Sequence, residues 1–247
     1  MSEPLVFRYV LRYPGAMRAL PGQESRTPPG TPPVTRDRAA EDQRRRILSA
    51  AAELVAKRGY QATTVELIVR RAKVGYATFY KSFEDKEDCF AGLLDSAVEL
   101  ASERVAEVLP DDPAWEEKRE SWAATVAAVI HAAFKLAGEQ PAGARTVLVE
   151  SLTAGEEAQK RHEAALKLLR DLLAGGRRFN PQSGELPDTL EDTLASAVSW
   201  MAYQRLVVGE AEKLEGLAPE AVELVLTPYL GEQEAADVAA QAVAQPA

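Results

Sequence analysis

The chain has 247 residues, of which 46% are hydrophobic and 27% are charged, so it can bury a core as one domain or as two small ones. Its 15 glycines and 15 prolines are ordinary usage, and no apolar run reaches the ~18 residues of a membrane span. These features exclude the collagen-like, wholly disordered and membrane-spanning classes. Pro4, Arg8, Arg12 and Pro14 interrupt the N-terminal apolar residues, so no signal peptide is predicted and a cytoplasmic location is expected.

The side chains needed for a metal or catalytic site are scarce. One cysteine, Cys89, and two histidines, His131 and His162, are too few for an ordinary zinc site. The sequence also lacks a phosphate-binding glycine loop and a nucleophile elbow. We therefore expect no metal, no cofactor and no enzymatic activity.

Charge is divided unevenly along the chain. Residues 1–90 contain 16 Lys and Arg against 11 Asp and Glu, whereas residues 91–247 contain 13 against 27. This asymmetry is expected when a basic N-terminal module binds the phosphates of a nucleic acid and the acidic remainder has a different function.

Residues 1–34 contain seven of the fifteen prolines and show no helical or strand period, which predicts a disordered, Pro-rich extension. Its arginines are consistent either with an arm that tracks DNA or with a solvated tail. Helical periodicity begins at about Arg38, with Ile47, Ala51 and Leu54 on one face and Gly59 as a stop signal.

Two short helices are predicted next, within a domain that spans residues 35–84. Thr63 and Thr64 are candidate N-caps for the first, and Lys73, Val74 and Gly75 separate it from the second, at 76–82. Short helices joined by a three-residue turn predict a helix-turn-helix, whose second helix enters the major groove of DNA. The outer face of that helix carries Thr78, Tyr80 and Lys81, which can contact bases or phosphates.

The segment ILSAAAELVAKRGYQATTVELIVRRAKVGYATFYKSFEDKEDCF resembles the N-terminal domain of TetR-family transcriptional regulators. The resemblance covers about fifty residues and is carried by Gly59-Tyr60, Thr63-Thr64, the stretch from Ala72 to Phe83, and Lys86-Glu87. It implies an all-α homodimer in which an N-terminal three-helix helix-turn-helix domain is followed by a larger helical domain for ligand binding and dimerisation. The implied function is repression at a palindromic operator on double-stranded DNA, released by a small apolar or amphipathic ligand.

Lys73, Gly75 and Tyr76 stand where the family often has Gly, Ser and Lys, so no base preference is carried over. Arg44, Arg45 and Arg46 precede the apolar face of the first helix and fit either an arm on DNA or a solvated helix face. The resemblance and the basic context together give these expected DNA contacts: Arg44, Arg45, Thr64, Lys73, Gly75, Tyr76, Ala77, Thr78, Tyr80, Lys81 and Lys86.

Residues 85–231 are predicted to form the helical regulatory and dimerisation domain, and residues 232–247 a flexible Ala/Gln tail. Trp200, Tyr203 and Val207 form one apolar stripe and Leu190, Leu194 and Met201 another, so one is expected to face a ligand and the other a dimer mate. A pocket needs a few polar groups in apolar walls. The candidates for its lining are Trp122, His131, Phe134, Arg145, Glu150, Trp200 and Tyr203.

A second hypothesis gives the C-terminal half a different role. Its wide acidic surface suits a protein-interaction module that binds no small ligand.

Overall fold

The computed structural model describes residues 32–112 and 114–244 and divides into two compact units, the first ending at Leu93 and the second beginning at Leu94. Within the described residues all regular structure is helical, which confirms the predicted all-α class.

The first unit is built from three helices and the start of a fourth. They are α1 (Pro32–Arg58), α2 (Val65–Ala72), α3 (Tyr76–Ser82) and α4 (Lys86–Val108), which continues past the unit boundary. Helix α1 ends because Gly59 adopts φ 79°, a left-handed conformation that favours glycine. Helix α4 starts where the Asp85 side chain accepts a hydrogen bond from the Asp88 backbone N–H, 2.8 Å away.

The core of the first unit lies between these helices and fixes their arrangement. Ile47 and Ala51 of α1, Ile68 of α2 and Phe79 of α3 are fully buried, as the periodicity predicted. Each large side chain of this kind contributes ~1.5–3 kcal/mol on burial.

The predicted boundary after residue 84 falls too early. Cys89 belongs to the first core, and the ring of Phe90 lies 4.6 Å from that of Tyr60.

The second unit contains six further helices joined by short 3-10 segments. Its helices are α5 (Arg119–Glu139), α6 (Pro141–Leu148), α7 (Glu156–Ala174), α8 (Leu190–Val208), α9 (Ala218–Leu230) and α10 (Glu232–Ala244). The intervening 3-10 segments are Trp115–Glu117, Glu150–Thr153, Gly175–Phe179, Ser183–Glu185, Ala211–Lys213 and Glu215–Leu217.

Trp122 is the centre of the second core. Its indole N–H donates to the Leu172 carbonyl at 2.9 Å, and its ring packs against those of Phe179 and Tyr229. Gly176 is required there, because a Cβ at that position would lie 2.4 Å from the indole.

A buried carboxylate joins three segments of the same unit. Glu191 accepts two hydrogen bonds from Arg177, at 2.8 and 2.9 Å, and one from the Tyr229 hydroxyl at 2.9 Å. Burial alone would raise the pKa of Glu191, but these hydrogen bonds together lower it below its usual range. The ionised form is therefore the one that the fold stabilises.

Two further boundary predictions are wrong. Helix α1 starts at Pro32, inside the extension predicted to be disordered; the rest of that prediction, residues 1–31, lies outside the described residues. The predicted flexible tail is helix α10 from Glu232 to Ala244, in which Ala235 and Ala239 are buried in the second core.

Helix α5 is long and apolar enough to meet a length-and-composition test for a membrane span. Its side chains Trp122, Val126 and Ile130 are instead buried within the unit, as expected for the core helix of a folded domain.

Candidate DNA-binding surface and ligand cavity

The turn between α2 and α3 has the geometry of a helix-turn-helix. Helix α2 begins at Thr64, whose hydroxyl accepts from the Leu67 backbone N–H at 3.3 Å, and ends at Lys73, which adopts φ 54°. The N–H of Val74 then bonds the Val69 carbonyl at 3.1 Å, which closes the turn before α3. Lys73 holds a left-handed conformation that glycine would adopt without strain.

The outer face of α3 is open to solvent. Tyr76 is 50% exposed and Tyr80 is 55% exposed, while Ala77 and Lys81 are also exposed and Thr78 is half-buried. Phe79 is completely buried on the opposite face and anchors the helix. The structure thus places the predicted contact residues of α3 on one accessible surface, as a helix that enters a DNA groove requires.

The three consecutive arginines of α1 have different surroundings. Arg44 lies over the Phe83 ring, 4.3 Å from its centroid, and donates to the Ser82 carbonyl at 2.9 Å. Arg46 donates to the Ala72 and Lys73 carbonyls at 2.5 and 3.2 Å and so caps the end of α2.

Arg45 is exposed and pairs only at the surface, with Asp42 at 3.1 Å. Of the two arginines predicted to contact DNA, Arg44 therefore already braces the end of α3, and Arg45 is the one directed to solvent.

Lys86 contacts the turn between α1 and α2. Its ammonium group lies 4.0 Å from the centroid of the Tyr60 ring and donates to the Tyr60 carbonyl at 3.3 Å. Burial raises the pKa of Tyr60, with further contributions from Glu87 and Asp85, so its phenol stays neutral. Lys86 and Thr64 thus lie beside the same turn. The structural roles of Tyr60 and Arg46 were not predicted, because nothing in their sequence spacing indicates these contacts.

Cys89 is a buried core residue. Desolvation by burial raises the pKa of its thiol to about 12, although nearby Arg44 opposes this. A neutral, enclosed thiol behaves as a small hydrophobe rather than as a redox switch.

The second unit contains a cavity of about 1100 Å³ beside α5. Its floor is formed by small side chains of that helix, Ala124, Ala128 and Ala132 among them, and by His131. Its other walls come from the end of α4, the 3-10 segments around Glu212 and Glu215, and α10. The volume is slightly above the ~300–1,000 Å³ of most small-molecule sites.

Most of the residues predicted to line a pocket lie elsewhere, and His131 is the exception. Trp122 and Phe134 are buried in the core, where their large apolar rings pack against other helices. Arg145 pairs with buried Glu150, 3.3 Å between Nε and Oε1.

Trp200 and Tyr203 stack on each other at the surface, with ring centroids 4.9 Å apart and planes 10° apart. Trp200 is 56% exposed. Across the described residues no group of three or more His, Cys, Asp or Glu side chains is arranged to hold a metal ion.

Comparisons with known proteins agree with the helix-turn-helix geometry. Residues 47–93 match the family model of bacterial regulatory proteins of the tetR family. HbdR, a transcriptional regulator of Aromatoleum sp. (strain CIB), is 42% identical over 55 residues, which are 22% of this chain and 24% of HbdR. The fatty acid metabolism regulator protein of Bacillus subtilis is 28% identical over 149 residues, 60% of this chain and 73% of that protein.

A solved structure with the same fold is FadR from Bacillus subtilis in complex with stearoyl-CoA. It superposes with a TM-score of 0.58 at 21% identity and covers 76% of this chain and 98% of that one. The names of these proteins describe regulators. The matched region is about a quarter of the length of HbdR.

Proposed function

We propose that this chain, whose residues 47–93 match the family model of bacterial regulatory proteins of the tetR family, is a cytoplasmic, sequence-specific transcriptional repressor. It binds a palindromic operator as a homodimer and is released by a small molecule. The observation that carries this proposal is the exposed face of α3, positioned by the turn at Lys73 and by the contacts of Arg44 and Arg46.

The expected DNA contacts divide by chemistry. Thr78 offers a hydroxyl and a methyl group for a base edge or a phosphate, and Tyr80 offers a phenolic hydrogen bond to phosphate. Lys81 and Lys73 supply positive charge on the exposed surface, and Arg45 supplies it from α1. Gly75 and Ala77 are small enough to let the backbone approach the groove.

The cavity supports a small ligand over the alternative of a module that binds only proteins. Helix α4 begins among the residues that brace the helix-turn-helix and ends at Arg104, Glu107 and Val108, which line the cavity. A ligand that binds one conformation of this helix more tightly than another shifts the population of dimers able to span two major grooves, ~34 Å apart.

The homodimer is proposed on the exposed side chains of α8. Trp200, Tyr203 and Val207 are spaced at i, i+3 and i+7, and Trp200 and Val207 are exposed at 56% and 45%. These residues were predicted to form a stripe, and their exposure favours a role toward a second copy rather than toward a ligand.

The test is selection of bound sequences from a random duplex DNA pool at fixed salt, followed by affinity measurements on the enriched site. We expect an inverted repeat. The double variant Thr78→Ala with Tyr80→Phe should bind it roughly tenfold more weakly, since it loses base and phosphate contacts.

A control removes a threonine side chain from the second unit. Thr227→Ala, on α9 and outside the proposed dimer stripe of α8, should leave the affinity for DNA unchanged. Failure of the folded wild-type protein to enrich any sequence would refute the proposal.

A further inference from the structure

Helix α3 is too short to hold its own position. It has seven residues, fewer than two full turns, and Phe79 is the one that is buried. Its N-cap, Gly75, has no side chain with which to bond the free N–H groups of the first turn. The direction of its exposed face therefore depends on contacts made by the other helices of the first unit.

A side chain of α1 contacts the end of α3. The Nη1 atom of Arg44 donates to the carbonyl oxygen of Ser82, the last residue of α3, at 2.9 Å. The guanidinium carbon also lies 4.3 Å from the centroid of the Phe83 ring, which is buried in the first core. Arg44 thus bonds a carbonyl group that a helix end leaves unpaired, and it packs on the ring that follows.

Space for this contact exists because residue 92 of α4 is a glycine. A Cβ atom built on Gly92 would lie 3.0 Å from Nη2 of Arg44 and 3.2 Å from Cε1 of Phe83, both closer than an ordinary van der Waals contact. The guanidinium group or the ring would then have to shift by a few tenths of an ångström.

The backbone of Gly92 does not itself call for glycine. Gly92 is buried inside α4 and has no positive φ, and glycine in a helix interior is less favourable than alanine. The close approach of Arg44 and Phe83 is therefore the feature of the first unit that favours a glycine at this position.

We propose that Arg44 is a positioning residue for the DNA-binding surface and that Gly92 makes room for it. Arg44 acts on DNA binding through the orientation of α3 and not through a contact with phosphate. This inference rests on the proposed operator binding and deepens it. The resemblance in sequence implies a DNA contact for Arg44 and assigns no role to Gly92.

Measurements of DNA binding separate the two roles of Arg44. A contact with phosphate strengthens binding to every sequence, and its loss lowers the slope of log affinity against log salt by about one. A positioning residue strengthens binding only to the sequence that α3 reads. We expect Arg44→Met to bind the enriched inverted repeat about tenfold more weakly, with unchanged binding to an unrelated duplex and an unchanged salt slope.

The matched comparison is Arg45→Met, which removes the same groups from the exposed neighbour in α1. It should weaken binding to both duplexes and lower the salt slope. If Arg44→Met behaves in this way instead, Arg44 contacts phosphate and the proposal is overturned.

Gly92→Ala tests the same contact without a change of charge. It should weaken binding to the inverted repeat about threefold, and most of this effect should disappear in the Arg44→Met background, because the displaced guanidinium group is then absent. Gly143→Ala is the matched control within α6, where the nearest atom to the built Cβ is 4.0 Å away, and it should leave the affinity unchanged. Fully additive losses, or no loss from Gly92→Ala, would overturn the role of Gly92.

Hydrogen exchange tests the contact without DNA. In Arg44→Met and Gly92→Ala the backbone amides of residues 76–83 should exchange several-fold faster than in the wild type, while those of α2 are unchanged. Unchanged exchange in α3, or equal acceleration in α2 and α3, overturns the positioning role. If exchange changes as expected but the wild-type protein enriches no DNA sequence, the proposed operator binding fails and the contact that orients α3 is supported.

Discussion

At the scale of single residues, Lys73 carries a conformational cost at the centre of the DNA-binding domain. It is the non-glycine residue with a positive φ in the described part of the chain, and a left-handed backbone costs a side-chain-bearing residue ~1 kcal/mol or more. Lys73→Gly should therefore raise the free energy of unfolding by about 0.5–1 kcal/mol, less than the full cost because glycine gains freedom in the unfolded chain. Urea denaturation measures this directly.

The control for this change is Lys73→Ala, which removes the ammonium group but keeps the Cβ that causes the strain. It should not stabilise the domain. If the Lys73 charge contacts phosphate, both variants weaken DNA binding equally across sequences. If Lys73→Gly instead lowers the free energy of unfolding, the lysine side chain stabilises the folded domain by more than its left-handed backbone costs.

The contacts of the arginines in α1 depend on the fold and not on the local sequence. Composition identifies Arg44 and Arg45 as basic groups near a helix-turn-helix, but not what lies beside them. Arg44 meets Phe83 and Arg46 meets the end of α2 only because α1 packs across both short helices. Such contacts join residues 26 to 39 positions apart in sequence, and no local pattern encodes them.

At the scale of elements, the last helix was missed for a physical reason. Helix α10 packs through alanines: Ala235 and Ala239 are buried and Val238 and Ala242 are partly buried, so its apolar face carries little hydrophobic signal. The predicted start of α1, at about Arg38, is later than its observed start at Pro32. Pro32 and Pro33 fit the first turn of a helix, but prolines are also common in disordered chain. The starts of α2 and α4 are marked by caps, at Thr64 and Asp85.

The packing of α10 predicts a large effect from one substitution. Ala235→Glu introduces a long charged side chain where the alanine is completely buried, so it should lower the free energy of unfolding by about 2 kcal/mol or more. Thermal or urea unfolding measures the loss.

Ala240→Glu makes the same change on the exposed face of α10 and should be nearly neutral. Equal stability of the two variants would mean that the segment behaves as the flexible tail that its composition suggested.

At the scale of the whole molecule, the uneven distribution of charge agrees with the proposal that the first unit binds DNA and the second binds a ligand and a second copy of the chain. The basic first third contains the helix-turn-helix, whereas the acidic remainder contains the cavity and the exposed stripe of α8. The cavity lining was not predictable beyond His131, since its walls come from α4, α5, two 3-10 segments and α10. Periodicity shows which face of a helix is apolar, but only the fold shows which faces leave a space between them.

The stacked Trp200 and Tyr203 lead to a prediction about assembly. If this stripe forms the homodimer interface, Trp200→Glu removes a large aromatic contact and places a charge in it, which should weaken self-association by about 100-fold or more. Sedimentation equilibrium should then show a folded monomer, and affinity for the inverted repeat should fall because the two half-sites are no longer bound together. Leu152→Glu alters another exposed apolar residue, 43% exposed, and should leave the dimer intact. A Trp200→Glu protein that stays dimeric would place the interface on a different surface of the second unit.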